Sequence, residues 1–357
     1  MELSDIGWNK NIDANYQRLG INNVILGRVI FHSGKQYKII STTGELTANL
    51  SKTFVDSINN KSELPSVGDW VCIKKIDEYR SYHIINLIPR INKISRKVAG
   101  EKTEEQIIAS NVDIVFIMTS LDDDFNIRRL ERYLTMSNQI NTIPIIILNK
   151  IDKCKDSDNF IEETKKNFEN ISIIAISAKE GKNIEEVNGF IEKGKTIVLL
   201  GSSGVGKSTL INQLLGYSRQ KVGDIREKDS KGRHITTSRE LILLSNGGML
   251  IDNPGLREIQ LWSSDDGIIR TFQDIDKLSK QCRFKDCIHD MEPGCAVKYA
   301  VKAGQLSQER LDNFKKLLRE QEYLNHKRNV YERRKKDRKL GKLYRQGKSI
   351  RKYKGND

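Results

Sequence analysis

The sequence predicts a multidomain chain: an N-terminal β-barrel, a central α/β domain with a phosphate-type loop, and a helical, cysteine-bearing segment ending in a basic tail. Three observations predict it. Short runs of alternating apolar and polar residues fill positions 22 to 90. Apolar strands alternate with helical stretches from Val112. After residue 266 strand signals stop and three cysteines crowd together. A chain of 357 residues with 37% hydrophobic content suits two or three domains better than one.

The barrel comes first. Asn23 to Ile30, Gln36 to Ile40 and Asp69 to Ile73 alternate in the manner of half-buried strands. Ser33-Gly34, Thr43-Gly44 and the stretch from Pro65 to Gly68 punctuate them as turns. About five strands in this length fit a small antiparallel barrel, of which the OB-fold is the commonest match; an SH3-like barrel reads much the same. Such barrels bind RNA or serve as docking modules. Residues 1 to 90 are therefore read as a short leader and the barrel, and the basic, polar residues 91 to 111 as a linker.

The central domain is expected over residues 112 to 265. Val112 to Thr119, Ile143 to Leu148, Ile171 to Ile176 and Thr196 to Leu200 read as buried strands, with a helix over Asn126 to Gln139. The last three strands deliver the chain into Asn149-Lys150-Ile151-Asp152, Ser177-Ala178-Lys179 and Gly201-Ser202-Ser203-Gly204-Val205-Gly206-Lys207-Ser208. An open α/β sheet places its ligand at such carboxyl ends. The last motif precedes a helix opening at Thr209, the setting in which backbone N–H groups cradle phosphates. Chance supplies this pattern in roughly one chain in a hundred of this length, so with its flanking strand and helix a plain glycine turn explains it poorly. Lys207 is expected to bridge the β- and γ-phosphates of a nucleotide and Ser208 to ligate Mg²⁺.

Asn149 and Asp152 select the base. A carboxylate accepts two hydrogen bonds from the N1–H and exocyclic amine of guanine, and adenine offers no such pair. Thr236, Thr237 and Asp252-Asn253-Pro254-Gly255 complete the parts of a GTP/GDP site. Asp252 would hold Mg²⁺ through water, and Gly255 would offer its N–H to the γ-phosphate. Ordinarily the phosphate loop leads and the base motifs follow. Here the same cycle begins with the base motifs (G4-G5-G1-G2-G3), so this is read as a circularly permuted GTPase domain. Leu256 stands where many GTPases place a water-orienting glutamine, so hydrolysis by the chain alone is expected to be slow. His234, in the expected first switch, either assists hydrolysis or packs its loop.

Residues 266 to 326 contain Cys282-x4-Cys287-x-His289-x5-Cys295, three thiolates and one imidazole. That is the ligand set of a closed tetrahedral zinc site, so one structural Zn²⁺ is expected; Cys72 and Cys154 are expected to be inert. A long charged helix is expected from Leu306 to Lys339. The net charge of +14 is concentrated at residues 327 to 357, where 14 Lys or Arg face three acids. That tail, with Tyr331, Tyr344 and Tyr353 among its charges, suits nucleic acid. No apolar run approaches the roughly 18 residues needed to cross a bilayer, and no signal peptide is evident. A cytoplasmic protein without membrane contact is expected, with one complete site in a monomer.

The order of motifs, the barrel before them and the cysteine pattern after them resemble the RsgA (YjeQ/YloQ) ribosome biogenesis GTPases. Arg129-Leu130-Glu131-Arg132-Tyr133-Leu134 and Lys231-Gly232-Arg233-His234 look like that family's local patterns. The resemblance covers about residues 22 to 325. It implies an OB-fold, a permuted GTPase domain and a zinc-containing helical domain, in a GTPase stimulated by the small ribosomal subunit and acting late in its maturation, with that subunit and its rRNA as partners. It also implies that Thr236 is the switch threonine on Mg²⁺, that His234 assists hydrolysis, and that Cys282, Cys287, His289 and Cys295 hold zinc. Ile235 and the long basic tail depart from the family pattern. An RNA-binding protein that never turns over its nucleotide, or a GTPase acting on another RNA, shares most of these motifs.

Overall fold

A computed structural model describes residues 1–58, 60–76, 81–97, 105–122, 124–216, 239–252 and 265–327. The chain divides into two compact units, one of residues 1–96 and 105–260 and the other of residues 97–104 and 261–357.

In the first unit, β1 (Ile25–Ser33), β2 (Gln36–Ser41), β3 (Gly44–Leu50), β4 (Trp70–Ile76) and β5 (Ser81–Leu87) hydrogen-bond in the order β1-β2-β3-β5-β4. β4 also pairs with β1, closing a barrel. Only β3 and β5 run parallel, and the helix Lys52–Ser57 lies in the connection from β3 to β4. This is OB-like connectivity. Alternation sends Val29, Tyr37, Ile39, Ala48, Val71, Ile73 and Ile84 inward, where they form one core with Phe54. The expected leader is itself folded: Ile6 and Ile12 are buried, and Trp8 meets Trp70 edge-on with ring centroids 4.9 Å apart.

The segment read as a linker contains two paired strands, β6 (Lys93–Lys97) and β7 (Glu105–Ser110). Ile107, Ile108 and Ala109 are buried in it. Their apolar run was outweighed in the sequence by the charges on either side.

The α/β sheet holds β8 (Ile114–Ser120), β9 (Ile143–Asn149), β10 (Ser172–Ala175), β11 (Thr196–Leu200), β12 (Glu240–Leu243) and β13 (Met249–Asp252). Their order across the sheet is β10-β9-β8-β11-β13-β12, all parallel except the β12–β13 pair. Counting round the cycle from β11 as first, the spatial order becomes 2-3-1-4-5-6. Packing depends on which strands are neighbours, so cutting the chain elsewhere in the cycle leaves the sheet intact. β8 and β11 are buried along their whole length, which is why they carry the apolar runs Ile114 to Met118 and Ile197 to Leu200. β12, half-exposed and only four residues long, had no such signal. It also pairs with barrel strand β1 at Phe31–Glu240, making one continuous sheet of eleven strands.

Arg28 of β1 anchors this junction. Its side chain is buried and all five N–H groups are used. Nε donates to the Gly68 carbonyl, one terminal nitrogen to the Ile6 carbonyl and Met249 Sδ, and the other to the Asn111 carbonyl and Thr196 Oγ1. Burial pulls its pKa down to about 10, against Asp113 and Asp69, so it stays charged at neutral pH. Arg28→Met would strand several buried acceptors and is expected to cost at least about 3 kcal/mol. Urea unfolding of the full chain, followed by tryptophan fluorescence, measures this; a loss below about 1 kcal/mol would show that the network contributes little.

The second unit has helices Asp265–Thr271, Gln273–Ser279, Ala296–Lys302 and a fourth over 308–327. Ile268, Phe272, Ile275, Val297, Leu311 and Leu317 are buried among them. Arg310 forks onto Asp274 and lies over the Phe272 ring at 4.9 Å. The expected long helix is present through residue 327; its continuation to Lys339 and the rest of the tail lie outside the described residues. Among the described residues no helix is long and apolar enough to cross a membrane.

Candidate functional site

Sheet order decides which loops meet. β11 lies beside β8 and β8 beside β9, so the loops leaving their carboxyl ends are neighbours. Gly201 leaves β11 so close to β8 that a Cβ there would stand 2.5 Å from the Met118 carbonyl oxygen. Gly206 has φ +99°, and a Cβ on it would collide with the Asn149 side chain. The helix α1 of this site (Lys207–Leu215) starts directly after it, and Gly206 supplies no side-chain cap, so first-turn N–H groups are left for a ligand. Ser203, Ser208 and Thr209 are exposed at this end, and Val205 is buried. The Lys207 ammonium lies on its own loop, 2.8 Å from the Gly201 carbonyl and 2.6 Å from that of Ser202.

Asn149 binds three loops together. Its side-chain nitrogen donates to the Val205 carbonyl at 2.7 Å, and its oxygen accepts from the Ala178 N–H at 2.9 Å. It is 2% exposed. Both ends of the amide are therefore committed to joining the Gly201–Ser208 loop to the Ser177–Lys179 loop. Asp152 is exposed and accepts from Ser177 Oγ at 2.7 Å, which in turn accepts from the Glu180 N–H. Lys179 is exposed beside them. Lys150 has a left-handed backbone, φ 67°, uncommon for a side chain of this kind. Asp252 ends β13, the other neighbour of β11, and is half-buried. His234, Thr236 and Gly255 lie outside the described residues.

Sequence reasoning missed Asp122 and Asp124. Lys150 donates to Asp122 at 2.8 Å, while Asp124 accepts from Ser202 Oγ and, at 2.6 Å, from Arg129. Burial works against the Asp122 carboxylate, but Lys150, Ser120 and the Asp124 N–H outweigh it and hold its pKa down at about 2. A run of aspartates reads as a solvated turn. Its position at the carboxyl end of a buried parallel strand was the available signal.

In the second unit Cys282, Cys287, His289 and Cys295 bring their ligand atoms within 4.8 Å of one another. Cys282 and Cys295 sulfurs are 3.8 Å apart, and His289 Nδ1 is 3.6 Å from the first and 3.5 Å from the second. A tetrahedron with metal–sulfur bonds of about 2.3 Å has sulfur–sulfur edges of about 3.8 Å and sulfur–nitrogen edges of about 3.5 Å. The cluster has the dimensions to hold zinc. Its return loop is held by the Glu292 carboxylate, which accepts from the Ile288 and Asp290 N–H groups, and by Lys315 on the His289 carbonyl. Cys295 also caps the helix Ala296–Lys302, its sulfur accepting from the Lys298 N–H at 3.4 Å.

Comparison with known proteins places the chain in a family and a fold. Residues 87–262 match the family described as RsgA GTPase. "Small ribosomal subunit biogenesis GTPase RsgA 2" of Vibrio parahaemolyticus is 39% identical over 343 residues, which span 96% of this chain and 92% of that protein. The chain belongs to the RsgA GTPase family. "Small ribosomal subunit biogenesis GTPase RsgA" of Opitutus terrae is 38% identical over 332 residues, 90% of each chain. Among solved structures, YjeQ from Thermotoga maritima superposes with a TM-score of 0.64 at 24% identity, covering 84% of this chain and 98% of that one. YloQ, described as a circularly permuted GTPase, gives 0.59 at 22% identity, covering 87% and 96%. The fold is thus that of a circularly permuted GTPase with an N-terminal barrel, and membership of a GTPase family implies GTP or GDP with Mg²⁺.

Proposed function

We propose that this chain is a GTPase that binds the small ribosomal subunit, hydrolyses GTP late in the maturation of that subunit, and leaves on hydrolysis. The observation that carries the nucleotide assignment is Asn149, which joins the base loop, the phosphate loop and the Ser177–Lys179 loop in one site. The ribosomal assignment is supported by the names of relatives such as those from Vibrio and Opitutus.

In this reading Asp152 accepts from guanine, with Ser177 holding its carboxylate, and Lys150, Ala178 and Lys179 complete the base side. Backbone N–H groups of residues 201–209 cradle the phosphates and Lys207 neutralises them. Ser208 and Thr236 would ligate Mg²⁺, with Asp252 behind a water, to offset charge on the transferred phosphate. Gly255 would sense the γ-phosphate, and His234 would assist the attacking water. Cys282, Cys287, His289 and Cys295 would hold one structural Zn²⁺, with no open position for catalysis. The division of labour is leader and barrel over 1–90, GTPase domain over 112–265, zinc-binding helices over 266–326 and a basic tail over 327–357. Barrel and tail would contact rRNA, in a cytoplasmic monomer.

Steady-state GTP hydrolysis tests this, with the protein alone, with small ribosomal subunits and with large ones. Slow turnover alone and strong stimulation by small subunits only, lost in Lys207→Ala, are expected. Tight GTP binding without stimulation by either subunit would overturn the ribosomal assignment and favour a nucleotide that serves structure, a reading that Leu256 keeps open.

A further inference from the structure

No motif covers the loop between β8 and the helix Ile127–Gln139, yet sheet order puts it at the centre of the nucleotide site. β8 pairs with β11 on one side and β9 on the other, with Ile117 opposite Leu200 and Ser120 opposite Asn149. The loop that follows must therefore lie between the phosphate loop and the base loop. Its two described carboxylates bind one to each.

Asp122 serves the base side. One oxygen accepts from Ser120 Oγ at 2.7 Å and from the Asp124 N–H at 3.0 Å, which fixes the carboxylate before it meets any cation. The other oxygen takes the Lys150 ammonium at 2.8 Å. Asp124 serves the phosphate side, with one oxygen on Ser202 Oγ and the other on Arg129. The turn is further held by Phe125, whose N–H donates to the Asp122 carbonyl and whose ring meets Phe160 edge-on at 4.8 Å. A lysine on a flexible stem loses rotamer freedom when a ligand immobilises it, and a cation already held in place loses less.

We propose that Asp122 is a positioning residue of the nucleotide site: it holds Lys150 ready for the nucleotide, on a loop that Asp124 ties to the phosphate loop through Ser202. The proposal rests on the nucleotide assignment made above and deepens it. Because Lys150 belongs to the base motif, losing Asp122 should weaken GDP and GTP alike. The pair is partly exposed, with 25% of the Lys150 side chain and 37% of that of Asp122 accessible, so the effect is that of a surface ion pair plus lost preorganisation. A loss of about threefold to tenfold follows.

The test is a double-mutant cycle on the full chain, read as the affinity and dissociation rate of a fluorescent GDP, with GTP as competitor. Asp122→Asn should weaken both nucleotides by similar factors and speed GDP release. In a Lys150→Ala background the same change should do almost nothing further, whereas a general loosening of the fold would persist there. Thermal melting of each variant separates the two. Unchanged GDP release in Asp122→Asn, or an undiminished loss in the Lys150→Ala background, would overturn the proposal while leaving the nucleotide site intact. Failure of Lys150→Ala and Asp152→Asn alike to alter binding would remove the base loop itself, and the proposal with it.

Discussion

Asp152→Asn is expected to weaken GTP and GDP binding by roughly 100-fold or more and to favour xanthosine nucleotides. Guanine presents two donors, N1–H and the 2-amine, and a carboxylate accepts both. An asparagine has one oxygen and one NH₂, so one guanine donor faces another donor. Xanthine carries a carbonyl where guanine carries the amine, and the NH₂ then finds an acceptor. The geometry around Asp152 favours a clean exchange, since Ser177 Oγ can turn its hydroxyl to suit either side chain. Competition of GDP and XDP for one fluorescent nucleotide measures both effects. Unchanged GDP affinity would take Asp152 out of the base site.

The second large effect is expected at the cysteine cluster. Cys295→Ser should abolish binding of one zinc equivalent and unfold residues 265–327, because a unit this small has few buried apolar groups to hold it together without the proposed ion. Structural zinc contributes about 10–16 kcal/mol of apparent binding energy to comparable folds, far more than a helix cap. Loss of the Cys295 cap on the helix Ala296–Lys302 adds to the damage. Zinc content and hydrogen exchange over residues 265–327 of the full chain are the readouts. Cys154→Ser, outside the cluster, should retain full zinc and full protection. Zinc retained by Cys295→Ser, or unchanged exchange, would mean that these four residues do not form a metal site. GDP binding in the first unit should survive Cys295→Ser, since all described nucleotide-site residues belong to that unit.

Much of both sites was legible because their signals are local. The strand Thr196–Leu200 carries an unbroken apolar run from Ile197 to Leu200, and the loop after it has glycines where Met118 and Asn149 leave no room for a Cβ. The four candidate zinc ligands fall within fourteen residues, so their meeting needed only a tight turn through His289 and Gly294, both left-handed. The cut in the motif cycle was visible for a similar reason: each motif identifies itself without reference to the others.

What the tertiary structure alone decided involves partners far apart along the chain. Arg28 reads as a surface charge, and only the meeting of leader, barrel, hairpin and sheet supplies the acceptors that let it be buried, Thr196 lying 168 residues away. Ile107 and Ile108 became strand residues because a second strand and the barrel were there to cover them. Asn149, expected to help select the base, also braces its surroundings, its amide hydrogen-bonded to Val205 and Ala178, residues 56 and 29 positions away. Asp122 and Asp124 acquired their partners from the order β9-β8-β11, which no stretch of sequence displays. Backbone preference and apolar patterning act over a few residues and can be read in line. The burial of a charge depends on which surfaces finally meet, and that is settled only when the chain has folded.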